Sequence, residues 1–320
     1  MKKQKNLFYF ILIAIIVILS TQISINYFLD PYGIFNKKYI NYKYHPNLNY
    51  VKTSYILNNK NKYDSFLLGS SRVGTISAEK IKNGKYYNMS ISSALLAEEL
   101  DILKILLKNK IEIKNVLLGL DELSFSHFPE SHYYDYLRMP YTKLRNKKEL
   151  IKTYLFIPLY EYRKLIPNSE VKFDINNTGK FLWGNKNLKN NKEEIPKIEY
   201  VRQEKTLEEI KEFIELCEKN KINLIIFFTP QFRIENSKYK DLDRKFEKIK
   251  REVKNICKYP VYDFTDLRNI SRKKEYWHDI SHTKPIVGEM ILKKIYQDKI
   301  DINIEVSEYF GEFKNNYELK

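Results

Sequence analysis

The chain has 320 residues, of which 43% are hydrophobic and 30% are charged, and this length supports one large, well-filled globular domain with insertions. Its formal net charge of +16 is compatible with an anionic neighbour, such as an acidic lipid, an acidic polymer or a nucleic acid. Because the sequence has no arginine-rich cluster and no repeated basic–aromatic pattern, nucleic-acid binding is not favoured.

An uncharged apolar stretch follows the first six residues. It covers residues 7–29 and, at about 1.5 Å rise per residue, it can cross a hydrocarbon core of roughly 30 Å. Lysines precede it, which favours a cytoplasmic amino end. A cleaved signal peptide with residues 7–19 as its apolar region is the competing interpretation, but no small-x-small cleavage site is evident. We therefore expect an uncleaved single-pass anchor in the cell membrane, with residues 30–320 outside the cytoplasm.

The rest of the chain alternates predicted strands with predicted helices. Continuous apolar runs predict buried strands, and a 3.6-residue apolar period predicts helices. The predicted strands are SFLLG (65–69), YYNMS (86–90), NVLLGLD (115–121), INLIIFFTP (222–230) and PVYDF (260–264). The predicted helices cover residues 94–109, 205–220, 241–257 and 284–298. This order predicts an α/β fold with a parallel sheet covered by helices on both faces.

Residues 122–204 interrupt this alternation. They are rich in Tyr, Asn, Lys and Pro, and we expect one long insertion after the third strand. Such an insertion either builds a substrate rim or decorates the fold without a role. The same two interpretations apply to His127 and His132, which would either contact a glycan or simply pack. Residues 36–62 are polar and Tyr-rich, and we expect them to wrap the domain.

The first predicted strand ends on two adjacent serines and an arginine, in the stretch GSSR (69–72). In an open parallel sheet, sites form outside the carboxyl ends of the strands. One interpretation of Ser70 and Ser71 is therefore a nucleophile at the strand tip, and the other is a polar turn that caps the next helix. A serine hydroxyl is a poor nucleophile unless a base takes its proton, so the first interpretation requires a histidine at another strand end.

A suitable histidine follows an aspartate near the end of the chain. Asp279 and His282 are three residues apart, so the carboxylate can accept the imidazole Nδ1–H and leave Nε2 free as a base. The alternatives are an N-cap for Asp279 and a surface helix residue for His282. His278 is expected to be an exposed loop residue. A metal site made of these three residues lacks further ligands at matching spacing, so no metal or other cofactor is expected.

In these motifs the chain resembles the SGNH (GDSL-like) hydrolase superfamily. More narrowly, it resembles membrane-anchored extracytoplasmic members related to the D-alanyl transfer protein of teichoic-acid modification and to the alginate O-acetylation proteins. The matching blocks are GSSR (69–72), YYNMSISSA (86–94), LGLDEL (118–123) and DISH (279–282). The first block stands where the family has Gly-Asp-Ser, which puts the nucleophile at Ser71. The resemblance covers residues 60–125 and 220–298 and implies a flavodoxin-like, three-layer α/β/α fold.

The third block departs from the family, because Asp121 stands where asparagine is usual. An asparagine amide can donate to an oxyanion, whereas an ionised aspartate cannot donate and would repel it. We therefore expect an oxyanion hole of backbone N–H groups around Ser71, and Asn88 either adds its amide to this hole or is a turn residue at the end of its strand. Alternatively, Asp121 anchors Arg72 in an ion pair. Arg72 itself is either a partner in a structural salt bridge or a ligand for the phosphate or carboxylate of an acidic polymer.

Two functions follow from these residues and this resemblance. The first is an anchored serine esterase or O-acyltransferase in which Ser71 attacks an acyl group, His282 is the general base and Asp279 orients it. The acyl acceptor would be water or a cell-envelope polysaccharide or polymer, and the resemblance implies a membrane-bound O-acyltransferase as partner. The alternative is a non-catalytic envelope scaffold of the same fold, which binds an acidic polymer or a membrane partner. Asp121 and the missing aspartate of the Gly-Asp-Ser block favour this alternative.

Overall fold

The computed structural model describes most of the chain, in ten segments. These are residues 2–35, 44–126, 136–144, 146–164, 171–184, 201–232, 240–267, 269–300, 305 and 310–311. The chain divides into two compact units, each made of two stretches of sequence. The first unit is Met1–Val51 with Glu130–Ser169, and the second is Lys52–Pro129 with Glu170–Lys320. His127 and His132 lie outside the described residues.

The described residues form nine α-helices and seven strands, joined by loops and short 3₁₀ turns. The helices are α1 Lys2–Leu29, α2 Leu48–Asn58, α3 Leu96–Lys108, α4 Tyr141–Leu144, α5 Lys147–Tyr154, α6 Gln203–Lys219, α7 Lys240–Ile256, α8 Asn269–Arg272 and α9 Pro285–Tyr296. The strands are β1 Ser65–Gly69, β2 Tyr86–Asn88, β3 Asn115–Leu120, β4 Val171–Phe173, β5 Phe181–Trp183, β6 Asn223–Phe228 and β7 Val261–Asp263.

Five of these strands form one parallel sheet in the second unit, in the order β2-β1-β3-β6-β7. The sheet confirms the predicted α/β class, and its five strands and four of its helices match the predicted elements to within two residues. Counted within the sheet alone, the strand order is 2-1-3-4-5, the flavodoxin-like order. The order reverses between β1 and β3, so the loops that follow these two strands border the crevice where such folds bind ligands.

Helices cover both faces of the sheet, because side chains alternate along each strand. On one face, apolar side chains of three strands join those of α9 in a buried cluster. Its members include Leu67, Leu117, Ile225, Phe227, Val287, Ile291 and Leu292. On the other face, Phe228 lies with its ring 5.8 Å from the ring of Phe246 in α7. Both faces of each central strand are therefore buried, which explains the continuous apolar runs in the sequence.

Three features of the described chain were not predicted. Helix α2 lies within residues 36–62, which were expected to wrap the domain and for which no helix was predicted. The region of the predicted insertion contains α4 and α5, which belong to the first unit. It also contains an antiparallel hairpin in the second unit, in which β4 pairs with β5.

The first unit contains α1, which is long and apolar enough to cross a membrane. The unit has its own small core, made of Tyr32, Ile34, Leu144, Tyr154 and Ile157. Its two stretches of sequence are joined by Asn47, whose Nδ2 donates to the carbonyl groups of Tyr136 and Met139 at 3.1 and 3.0 Å. The segment that follows α1 and the residues between 136 and 157 therefore share one packed core.

The end of β1 and the end of β3 approach each other closely. Gly69 has φ +147°, a backbone conformation available essentially to glycine alone. A Cβ atom on Gly69 would lie 2.8 Å from the carbonyl oxygen of Gly119 and 2.8 Å from a methyl group of Val73. The chain can turn immediately after β1 only because this position carries no side chain.

We predict that Gly69→Ala destabilises the protein by roughly 2–5 kcal/mol, because it adds both backbone strain and a backbone clash. Urea unfolding of the full chain in detergent measures the change. Gly288→Ala is the matched control. Its Cβ would lie 3.0 Å from the side chain of Ile76, and alanine is favoured over glycine within a helix, so its effect is smaller. Equal stability of Gly69→Ala and the parent would contradict the close approach.

Candidate active site

A one-turn 3₁₀ helix follows β1 and carries Ser71. Ser70 precedes this turn in an extended conformation, and its Oγ accepts a hydrogen bond from the backbone N–H of Arg72 at 3.2 Å. Val73 ends the turn; its backbone N–H donates to the carbonyl of Ser70 at 3.1 Å, and its side chain is fully buried. The buried Val73 and the capping Ser70 together leave the side chain of Ser71 half-exposed at the edge of the sheet.

The loop from Trp277 to Thr283 carries the aspartate and the histidine. Trp277 is fully buried, and its Nε1–H donates to the carbonyl of Ile270 at 2.9 Å. The backbone N–H of His278 donates to the carbonyl of His282 at 2.8 Å, which closes the loop. Thr75 Oγ1 donates to the carbonyl of Thr283 at 3.2 Å. This last bond joins the histidine loop to the segment that follows Ser71.

The two loops bring Ser71, His282 and Asp279 into one hydrogen-bonded line. His282 Nε2 lies 2.8 Å from Ser71 Oγ, although the two residues are 211 positions apart in the sequence. His282 Nδ1 lies 2.9 and 2.8 Å from the two carboxylate oxygens of Asp279. All three distances are within hydrogen-bonding range, as a nucleophile, a base and a carboxylate that orients the base require.

Asp279 is held as an ionised carboxylate. Burial alone would raise its pKa, but the hydrogen bond from His282 and the backbone N–H groups of Ser281 and His282 outweigh burial and lower it. An ionised acceptor at Nδ1 favours the tautomer in which Nδ1 carries the proton. In that tautomer, Nε2 has a free lone pair directed at the hydroxyl of Ser71.

Asp121 follows β3 and contacts Ser70 rather than Ser71. Its Oδ2 accepts from Ser70 Oγ at 2.5 Å, and its Oδ1 accepts from the backbone N–H of Ser124 at 3.1 Å. Both carboxylate oxygens therefore act as acceptors in a buried position. An asparagine has only one acceptor oxygen on its side chain and could not make both bonds. This gives a structural reason for an aspartate at a position where the resembling family usually has asparagine.

Arg72 forms its main ion pair with Glu122. Its two terminal nitrogens donate to the two carboxylate oxygens of Glu122, both at 2.5 Å. Asp121 is more distant, with its Oδ2 3.9 Å from Arg72 Nε. Burial would raise the pKa of Glu122, but Arg72 and the amide of Gln231 lower it. Of the two interpretations of Arg72, the structural salt bridge describes these contacts, and Glu122 is a partner that the sequence did not indicate.

The amide of Asn88 is engaged within the fold. Its Nδ2 lies 2.9 Å from the carbonyl oxygen of Val73 and 3.3 Å from those of Gly74 and Ile76, and the side chain is fully buried. Of the two interpretations of Asn88, the structural role at the end of its strand describes these contacts. Asn88 supports the segment that follows Ser71, because its amide lies against three backbone carbonyl groups between residues 73 and 76.

A buried lysine binds the backbone at Asn88 and Ser90. Lys52 Nζ donates to the carbonyl groups of Asn88 and Ser90 at 3.0 and 2.7 Å, and it lies 4.9 Å from the centre of the Phe181 ring. Burial lowers the pKa of the Lys52 amine well below its ordinary value. Lys52 therefore connects α2 to the backbone around Asn88 and to the β4–β5 hairpin.

The β4–β5 hairpin contributes an aromatic wall to the site. The backbone N–H of Phe181 donates to the carbonyl of Gly74 at 2.8 Å, which fixes the hairpin beside the Ser71 turn. The ring of Trp183 lies 4.6 Å from the ring of His282 and stacks at 5.3 Å on the ring of His278. His278 was expected to be exposed, but it is buried against this tryptophan, with 9% of its surface exposed.

An open pocket of about 510 Å³ lies beside this wall. Its lining includes Thr75, Ser77, Lys180, Trp183, His278 and Lys284. Lys180 donates to Ser77 Oγ at 3.0 Å and pairs with Glu79, so this lysine is held in place within the wall. Among the described residues, no cluster of His, Cys, Asp and Glu side chains is arranged to hold a metal ion. The pocket therefore offers hydroxyl, ammonium and aromatic groups to a ligand.

No protein-family model matches the chain, and no curated protein matches its sequence. Among solved structures, the chain is similar to one from Streptococcus pneumonia that is described provisionally as a platelet activating factor. The two chains are 11% identical, the match covers 77% of this chain and 89% of the other, and the TM-score is 0.43. The functional interpretation of this chain therefore rests on the geometry of its site.

Glu99 in α3 is a buried acid beneath the site. Burial raises its pKa well above the ordinary value of 4.5, and the nearby charges of Asp121 and Glu98 raise it further. The folded protein therefore keeps a proton on Glu99 at pH values where the unfolded chain has lost it. As a result, the contribution of Glu99 to the free energy of unfolding is full below about pH 4.5 and declines as the pH rises towards the folded-state pKa.

We predict that Glu99→Gln removes this decline, because a neutral amide has no proton to lose. The variant should gain stability relative to the parent as the pH rises above 4.5. Thermal unfolding of the full chain in detergent, followed across pH 4 to 8 in roughly one-unit steps, measures the difference. Glu112→Gln is the control, because Glu112 is largely exposed. Parallel pH profiles for the parent and Glu99→Gln would contradict a protonated Glu99.

Proposed function

We propose that this chain is a membrane-anchored serine esterase or O-acyltransferase of the SGNH type. The observation that carries the proposal is the 2.8 Å separation between Ser71 Oγ and His282 Nε2, with Asp279 on the other side of the imidazole. Ser71 is the nucleophile, His282 is the general base and then the general acid, and Asp279 orients His282. The flavodoxin-like strand order also supports it, because the loops after β1 and β3 border its binding crevice.

The reaction proceeds in two transfers of the acyl group. Ser71 Oγ attacks the carbonyl carbon of an ester or thioester while its proton moves to His282 Nε2. The tetrahedral intermediate collapses, the carbon–oxygen or carbon–sulfur bond of the substrate breaks, and the leaving group takes the proton from Nε2. Water or an acceptor hydroxyl then attacks the acyl-serine, His282 removes its proton, and the second collapse returns that proton to Ser71 Oγ.

Backbone N–H groups stabilise the oxyanion in this proposal. The side chains of Asn88 and Asp121 are already engaged in buried hydrogen bonds, so neither can donate to a substrate. The N–H of Arg72 is capped by Ser70 Oγ. The N–H of Ser71 opens the 3₁₀ turn, where a helix leaves its first donors without intrahelical partners, and we assign the oxyanion contact to it.

The substrate class and cellular place of the enzyme complete the proposal. Helix α1 anchors the chain in the cell membrane with its amino end in the cytoplasm, and the α/β domain faces the envelope. The acyl acceptor is a hydroxyl of a cell-envelope polysaccharide or polymer, and a membrane-bound O-acyltransferase is the partner that the family resemblance implies. The pocket beside the Ser71 loop, with its tryptophan and lysines, suits a sugar or an anionic polymer.

We predict that Ser71→Ala abolishes covalent labelling of the chain by a fluorophosphonate probe, because the probe needs an activated serine oxygen. Ser70→Ala is the matched control. Ser70 is buried and its Oγ is hydrogen-bonded to Asp121, so this variant should still be labelled. In-gel fluorescence of the purified full chain measures labelling. Equal labelling of Ser71→Ala and the parent would refute the nucleophile, and no labelling of any variant would favour the non-catalytic scaffold.

We also predict that Asp279→Asn slows labelling by roughly 10³- to 10⁴-fold while the fold is retained. The asparagine amide would present a donor to Nδ1 and so favour the wrong imidazole tautomer. The rate of probe labelling at saturating probe measures the effect, and circular dichroism checks the fold. A labelling rate within a few-fold of the parent would show that Asp279 does not orient the base.

A further inference from the structure

The first unit carries a patch of exposed apolar side chains on α5 and the turn that follows it. Ile151, Phe156, Leu159 and Tyr160 are 46%, 46%, 45% and 61% exposed. A globular protein rarely exposes several large apolar side chains together to water. We call these four residues the apolar patch.

The patch is attached to the carboxyl-terminal third of α1 by side-chain hydrogen bonds. Gln22 Nε2 donates to the carbonyl groups of Phe156 and Ile157 at 3.3 and 2.9 Å. Asn26 Nδ2 donates to those of Leu155 and Ile157 at 2.7 and 2.9 Å. The hydroxyl of Tyr162 donates back to Asn26 Oδ1 at 2.6 Å. Residues 155–157 are therefore fixed at the height of Gln22 and Asn26 along α1.

That height lies inside the thickness of a bilayer. Fifteen residues separate Leu7, the first apolar residue of α1, from Gln22, which is about 22 Å along the helix axis. A hydrocarbon core is roughly 30 Å thick, so Gln22 lies in its outer part when Leu7 lies at the cytoplasmic boundary. A tilt of the helix would only place Gln22 deeper.

We propose that the apolar patch is a second membrane contact, which inserts into the outer leaflet beside α1. This inference rests on the proposed anchoring by α1, and it assigns a further lipid-binding role to the patch. The occupant is the outer edge of the hydrocarbon layer with its headgroups. Ile151, Phe156 and Leu159 face the acyl chains, and Tyr160 takes the interfacial position that tyrosine prefers in membrane proteins.

The hydrogen bonds of the segment fit this environment. Backbone carbonyl groups outside regular structure are costly in hydrocarbon unless a protein group donates to them. Gln22 and Asn26 supply such donors to the three consecutive carbonyl groups of residues 155–157. This role also accounts for the two amide side chains in the uncharged stretch 7–29, where an unsatisfied amide would be unfavourable.

The charge around the patch favours lipid headgroups. Lys147, Lys148 and Lys152 are exposed on α5, the same short helix that carries Ile151. Lysines near an anionic leaflet contribute about 1 kcal/mol each to membrane association. Apolar side chains next to lysines are the arrangement expected for a helix that lies in the interface plane.

Tryptophan quenching by brominated lipid tests the proposal in the full chain. The chain is reconstituted in phosphatidylcholine–phosphatidylglycerol vesicles whose acyl chains are brominated either near the headgroup or near the chain end. Phe156→Trp and Leu159→Trp report on the patch. Each of these side chains is about half exposed, so each position tolerates a larger ring. Leu19→Trp reports on α1, Glu112→Trp reports on a water-exposed site, and the parent chain gives the background.

We expect both patch variants to be quenched more strongly than Glu112→Trp, and more by the bromines near the headgroup than by those near the chain end. Leu19→Trp should show the deeper quenching. If Leu19→Trp is quenched while both patch variants behave like Glu112→Trp, the patch faces water or a protein partner and the proposal is overturned. Membrane anchoring by α1 would still be supported by that result. If Leu19→Trp is also unquenched, the result contradicts both the membrane anchoring by α1 and the membrane contact of the patch.

Discussion

The site depends on one steric constraint, the absence of side chains where β1 and β3 end side by side. Gly69 and Gly119 are paired in register, and Val73 packs against both of them. The chain can therefore turn at once and begin a 3₁₀ helix directly above the sheet. A bulkier residue at Gly69 would lift this turn, and Ser71 would leave the position in which it meets His282. The backbone at this corner therefore helps to set the position of Ser71.

Buried acidic side chains surround the guanidinium of Arg72 next to the ends of β1 and β3. Glu122 pairs with Arg72 at short range, while Asp121 is used as an acceptor by Ser70 and by the backbone of Ser124. Removing several carboxylates from water is costly, and one arginine cannot balance them all. Burial raises the pKa of Asp121 and raises that of nearby Glu99 well above its ordinary value, which favours a proton on Glu99. These buried contacts support the turn that carries Ser71 from below.

The sequence predicted the parts of the fold and site that depend on local patterns. Buried parallel strands are continuous apolar runs, and Asp279 reaches His282 because the two are three residues apart. The contacts of Arg72, Asn88 and Trp183 could not be predicted in the same way. Each depends on which way a side chain points after a turn, and Trp183 lies in a hairpin without a periodic pattern. Helix α2 was missed because its buried face includes polar residues that bind backbone groups elsewhere in the fold.

Trp183 stacks on His278 and lies with its ring tilted against that of His282, and this has a consequence for the acyl-serine of the proposed reaction. An indole that covers one side of the imidazole shields that side from bulk solvent, so an attacking water must approach from the remaining open side. An acceptor that fills this approach would displace the water and take the acyl group itself. The balance between hydrolysis and transfer would then be set by the hairpin rather than by the three residues it covers, and changes in the hairpin would alter the product without altering the nucleophile.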